Sequence, residues 1–137
     1  MSLRSTGLFV LSLLFLSACS SGPVRDIGLD KLAPRKAEQA LASGLKSYEN
    51  GDHAVAAKQL KSALDNGLTF KSDQVTAYKY LAFVHCVSDR KKQCRAAFAE
   101  AFEINPDFEL SAAEAGHPLW GPVYREAQAE QRKNKKK

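Results

Sequence analysis

Three cysteines and three histidines carry most of the chemistry open to this sequence: Cys19, Cys86 and Cys94, and His53, His85 and His117. Cys86 and Cys94 flank the polar stretch Val-Ser-Asp-Arg-Lys-Lys-Gln, and His85 precedes the first of them. In an oxidising compartment such a pair can close a short loop as a disulfide. With His85 it also offers three of the four ligands that structural zinc takes. His53 and His117 have no partner at ligand spacing, so the metal site lacks a fourth ligand and no metal is expected. Two readings of the thiols stay open, a disulfide and two buried free thiols, because bridging sets a strict limit on the Cα separation.

Nucleophilic chemistry has no motif to stand on. The chain contains no G-x-S-x-G, no P-loop and no H-E-x-x-H. Glu49 and Asp52 are explained by solvent and helix capping, and the remaining carboxylates alternate with lysines as on a solvated helix face. The expectation is a protein that is not an enzyme, with no catalytic residue and no cofactor.

Cys19 belongs to a different context. Arg4 and the apolar run Gly7–Leu16 (GLFVLSLLFL) form the n- and h-regions of a signal peptide over residues 1–18. The run is too short to span a bilayer, which takes about 20 residues. It ends in Leu16-Ser17-Ala18-Cys19, which resembles the bacterial lipobox. The resemblance implies cleavage before Cys19 and acylation of that residue, and several acyl chains anchor a protein stably. Ser20, where an Asp would signal retention at the inner membrane, implies sorting to the outer membrane with the domain facing the periplasm. Residues 19–36 then read as the lipidated Cys and a flexible tether. Val24, Ile27, Leu29 and Leu32 keep open an ordered arm lying in a groove.

The elements that must position these groups are helices. Apolar residues at Ala37, Ala40, Leu41, Leu45 and Tyr48 fall at helical spacing over 37–50. Gly51-Asp52 interrupts, with Asp52 as the N-cap of a second helix and Asn66-Gly67 as its stop. The pattern recurs. Ser72-Asp73 is expected to cap a helix running to Val87, and a polar turn at Ser88-Asp89 leads to a fourth helix that Asn105-Pro106 ends. A recurring helix–turn–helix pair is a repeat signature. Gly44, Gly51-Asp52, Ala56, Leu60 and Ala63, then Tyr78, Leu81, Ala82, His85, Phe98, Ala101 and Pro106, resemble the packing positions of the tetratricopeptide repeat (TPR). Cys94, where the family has Ala, and a longer loop between units depart from it. The resemblance implies an all-α short solenoid with two TPR units over 37–108, and it makes His85 a packing histidine.

Arrays of this kind need about three units or a cap. Residues 109–130 are expected to supply one. Ser111-Ala-Ala-Glu114 has the spacing of a capping box, and Pro122 opens a last helix through about Glu130, with Leu119, Trp120, Val123, Tyr124 and Ala127 available to cover the second unit. Trp120 has two readings, a packed cap residue and an exposed partner anchor. The run Glu114-Ala-Gly-His-Pro-Leu-Trp-Gly-Pro-Val123, with Cys86 to Arg95 and Asn105-Pro-Asp-Phe108, is similar to the small TPR lipoproteins associated with type VI secretion (TssQ-type).

That resemblance implies an accessory lipoprotein of a type VI secretion system: a non-catalytic adaptor that holds protein partners of an envelope complex near the membrane. The alternative is a pilotin-like chaperone lipoprotein for a secretin or pilus component. By repeat register the partner groove would contain Leu41, Leu45, Tyr48, Lys79 and Phe83, unless the arm or the last helix covers them. Oligomeric state is not legible. The net charge of +5, from 20 Lys+Arg and 15 Asp+Glu, would ordinarily point to nucleic acid. Its distribution argues otherwise. The basic tail 131–137 holds Arg132, Lys133, Lys135, Lys136 and Lys137, and without it and Arg4 acids and bases nearly balance. No nucleic acid partner is expected. The tail is either a solubilising end or a contact to anionic lipid.

Overall fold

The computed structural model describes residues 35–136. The signal peptide, Cys19 and the tether through 34 lie outside the described residues, as does Lys137. Within them the protein is all-α, with no strand: α1 (Lys36–Glu49), α2 (His53–Asp65), α3 (Lys71–Val87), α4 (Lys91–Ile104), α5 (Ala112–Ala115) and α6 (Gly121–Asn134). None of these helices is long and apolar enough to cross a membrane.

Consecutive helices pair. α1 packs on α2 and α3 on α4, α2 and α3 join the two pairs, and α1 also touches α3. α6 lies against α4, so it continues the stack that α3 makes on α2. The first pair closes tightly because Gly44 has no side chain. A β-carbon there would stand 2.8 Å from Leu60 Cγ. Leu60, Ala56 and Ala63 of α2 are fully buried. The second pair is built on Ala77, Ala82 and Phe83 of α3 and Cys94, Phe98, Ala101 and Phe102 of α4. Small residues let the helix axes approach, and the phenylalanines fill the space toward α6.

The turns follow local chemistry with two corrections. Gly51 (φ 80°) and Gly67 (φ 79°) take the left-handed conformation that ends α1 and precedes α3. Asp52 stands at the N-cap of α2, but its side chain makes no cap hydrogen bond. Its ψ of 64° departs from the extended conformation that lays a carboxylate over the first-turn amides. α3 begins at Lys71, so Ser72 and Asp73 sit inside its first turn rather than capping it. There Asp73 still complements the positive end of the helix dipole. Asp89, at φ 57°, turns the chain between α3 and α4, a conformation that Asp tolerates better than most residues.

The Ser111 capping box forms in full, with Ser111 Oγ accepting from the Glu114 amide and Glu114 accepting from the Ser111 amide. α6 runs to Asn134, beyond the expected end near Glu130. Residues 131–134 of the basic tail are therefore helical. Arg132 and Lys133 are good helix formers, and they lie in the last turn, where cations offset the negative end of the dipole.

Candidate functional site

The candidate site is the face shared by α1 and α3, together with what α5 and the start of α6 lay across it. The five expected groove residues do not share one environment. Leu41 is 8% exposed and Phe83 2%, so both belong to the core and neither is open to a partner. Leu45, Tyr48 and Lys79 are half-buried.

Phe83 is closed off by Trp120. The two rings stack with centroids 4.3 Å apart and planes inclined by 23°. His117 stacks on Trp120 in turn, 3.3 Å away and nearly parallel. The indole Nε1 donates to the carbonyl of Glu114 at 2.8 Å. Trp120, 8% exposed, is therefore a packed cap residue and not a free anchor. Tyr124 is buried beside it, edge-on to Phe98, and its hydroxyl donates to the Phe108 carbonyl at 3.1 Å.

Lys79 is closed off by charge. Its ammonium lies 2.7 Å from Glu114 Oε1, and both side chains are largely buried, at 20% and 25% exposed. The same ammonium stands 4.9 Å from the centre of the Tyr80 ring and 5.8 Å from that of Phe83, within cation–π range. Burial alone would raise the Glu114 carboxyl. Hydrogen bonds from Lys79 and Ser111 and the Lys79 charge outweigh it and hold the group below its ordinary value.

What remains accessible is a narrower strip. Tyr48 of α1 meets Tyr80 of α3 edge-on at 4.9 Å, with Leu45 one turn away on α1 and the Lys79–Glu114 pair alongside. Burial raises the Tyr48 phenol, and Tyr80 and Glu114 add to the effect. His53, at the start of α2, lies 5.8 Å from Tyr48 with its Nδ1 buried and unpaired.

No family model, curated protein or solved structure matches this chain.

The cysteines come together at the far end of the second helix pair. Cys86 and Cys94 are bonded, with Cα atoms 5.2 Å apart. His85 beside them is half-buried with Nδ1 unpaired; burial and the nearby Arg90 push its imidazole below the ordinary value. Among the described residues no three His, Cys, Asp or Glu side chains gather as a metal site would require.

Three residues of the site escaped the sequence reading. Tyr80 lies one position from Lys79 and was assigned no role by register. Glu114 was legible as a capping-box acid, but one of its oxygens faces Lys79, far away in sequence. His117 had no visible partner because its partner is the other face of Trp120.

Proposed function

We propose that this chain is a lipid-anchored periplasmic adaptor of the TPR kind, an accessory lipoprotein of a type VI secretion system, presenting the α1–α3 face to a protein of that apparatus. The observation that carries the reading is the stacking of two small-residue helix pairs. It sets α1 beside α3 and leaves Leu45, Tyr48 and Tyr80 half-exposed along the seam. The spacing of Gly44, Ala56 and Ala63, repeated as Ala82, Cys94 and Ala101, supports the repeat assignment. An apolar strip edged by an ion pair suits an extended peptide or one face of a helix.

The mechanism is recruitment. Acylation at Cys19 would confine the domain to the outer membrane and raise its effective concentration toward partners held there. Catalysis plays no part in this function.

In-cell photocrosslinking from Tyr48 and Tyr80, with Phe83 as a buried control, tests it. Capture of a secretion-apparatus component at the first two positions and nothing at the third is the expected result. Capture of a secretin or pilus subunit would replace the adaptor by the pilotin. A partner captured only from outside the seam, for example from Val55, would refute the α1–α3 face. Cys19→Ser should release the chain from the membrane fraction, and detergent-dependent retention of that variant would defeat the anchor.

A further inference from the structure

We infer that the solvent face of α6 is a contact surface for an anionic, phosphate-bearing lipid membrane. The inference rests on the reading that the chain works at a membrane, and the face itself is defined by geometry. Val123, Tyr124 and Ala127 are the buried side of α6. At 100° per residue the opposite side is occupied by Arg125, Ala129 and Arg132, with Lys133 next to them, and Lys136 follows in the turn after the helix. All five are exposed, and no acid lies among them.

The acids of α6 are kept apart from this stripe. Glu126 and Glu130 both turn to Arg95 of α4, on the flank facing the helix stack. Lys135 leans to the other flank, 3.9 Å from Asp107. Arg132, Lys133 and Lys136 have no ion-pair partner among the described residues. The helix continues to Asn134, so Arg132 and Lys133 are held at fixed spacing on one side rather than spread along a frayed end, and Lys136 follows in the turn beyond it. Arg125 to Lys133 spans about 12 Å.

Such a stripe is narrow, rigid and single-signed, and its flanking acids are already paired. That suits a flat anionic surface, where Arg132, Lys133 and Lys136 can engage at once, while Arg125 at the other end donates from Nη1 to the Ala115 carbonyl at 3.1 Å. Ala129 in its middle keeps the helix backbone close to that surface. Nucleic acid is the other polyanion that the charge could meet, and the signal-peptide reading disfavours it.

Each Lys or Arg near an anionic leaflet contributes about fivefold in affinity, so losing three lowers it about a hundredfold. The test uses the full-length chain carrying Cys19→Ser, which takes acylation out of the measurement. Sedimentation with phosphatidylglycerol-containing vesicles is compared with pure phosphatidylcholine vesicles, for the parent and for Arg132→Gln/Lys133→Gln/Lys136→Gln. A charge-matched control carries Lys58→Gln/Lys91→Gln/Lys92→Gln, at exposed positions on α2 and α4. Circular dichroism melts verify that all three fold.

The expected result is binding to the anionic vesicles only, lost at about 1 M salt, where the Debye length is about 3 Å. It falls about a hundredfold in the α6 variant and less than threefold in the control. Equal loss in the two variants would reduce the stripe to bulk charge and overturn the inference, as would undiminished binding by the α6 variant. Binding of duplex DNA as tight as that of the vesicles, with the same loss, would reassign the surface to nucleic acid. Fractionation of the acylatable parent against Cys19→Ser reports the anchor separately, so failure of the lipid reading and failure of the stripe are distinguishable.

Discussion

Removing the Cys86–Cys94 bond should cost stability by an amount set by the length of the loop it closes. The two residues are separated by eight positions. In the chain-entropy description, closing a loop of that length removes about 8 cal/mol/K from the unfolded chain, or about 2.5 kcal/mol at 25 °C. Packing has to be kept apart from this figure. Cys94 is fully buried among Ala97 and Phe98, and Cys86 is 6% exposed, so alanine at both positions would add a cavity cost to the loss of the crosslink. Reduction keeps every heavy atom. With Cys19→Ser as background, the protein is reduced in denaturant, because neither sulfur is reachable when folded, and refolded with reductant present. Urea unfolding of the oxidised and reduced forms then isolates the crosslink. For a domain of about 100 residues, 2.5 kcal/mol corresponds to a drop in Tm of about 10–20 °C. A loss below about 0.5 kcal/mol on reduction would refute the entropic reasoning. It would mean that the Asp89 turn and the packing of α3 on α4 already hold the unfolded chain in a hairpin.

Two further outcomes follow from the same structure. Gly44→Val should destabilise by about 1–3 kcal/mol in urea titrations, because its β-carbon would stand 2.8 Å and 2.9 Å from two carbons of the buried Leu60; Gly44→Ala should cost less, since the gain in helix propensity offsets part of the clash. Acid should weaken the fold in two separate windows. As pH falls below the 6.5 of a free imidazole, the unfolded chain protonates His85 before the folded one does, so stability declines until the lower folded value is passed. As pH falls below the 4.5 of a free carboxyl, the stability held by ionised Glu114 is lost toward its lower folded value. Melts across pH for His85→Gln and Glu114→Gln should each lack one of these declines, and a decline unchanged in either variant would remove that residue from the account.

Helix content and most helix ends were legible because they depend on local chemistry. Gly51, Gly67 and Pro106 punctuate the chain wherever it is placed, and the Ser111–Glu114 box is complete within four residues. The groove was only half legible. Register places Leu41, Lys79 and Phe83 on the groove face and leaves open whether the arm or the last helix covers them, because it carries no information about which segment arrives from far along the chain. Trp120 and Glu114 are that segment, and their contacts turn Phe83 into core and Lys79 into half of an ion pair. The end of α6 lies beyond Glu130 for a related reason. A run of cations looks solvated and unstructured in isolation, yet it extends a helix already anchored by Val123, Tyr124 and Ala127.

Three of the bonds that Glu114 makes run in three directions. One carboxylate oxygen takes the Lys79 ammonium of α3, the other takes the Ser111 amide at the head of α5, and its carbonyl takes the indole at the head of α6. The cap consequently has no independent hinge. Lifting Trp120 from Phe83 disturbs the residue that also fastens α5 to α3, so the cap opens as one cooperative unit. Any partner that displaced it would have to meet the combined cost of the ion pair, the capping box and the ring stack in a single event. The half-exposed tyrosines beside it would be reached first, with the cap still shut.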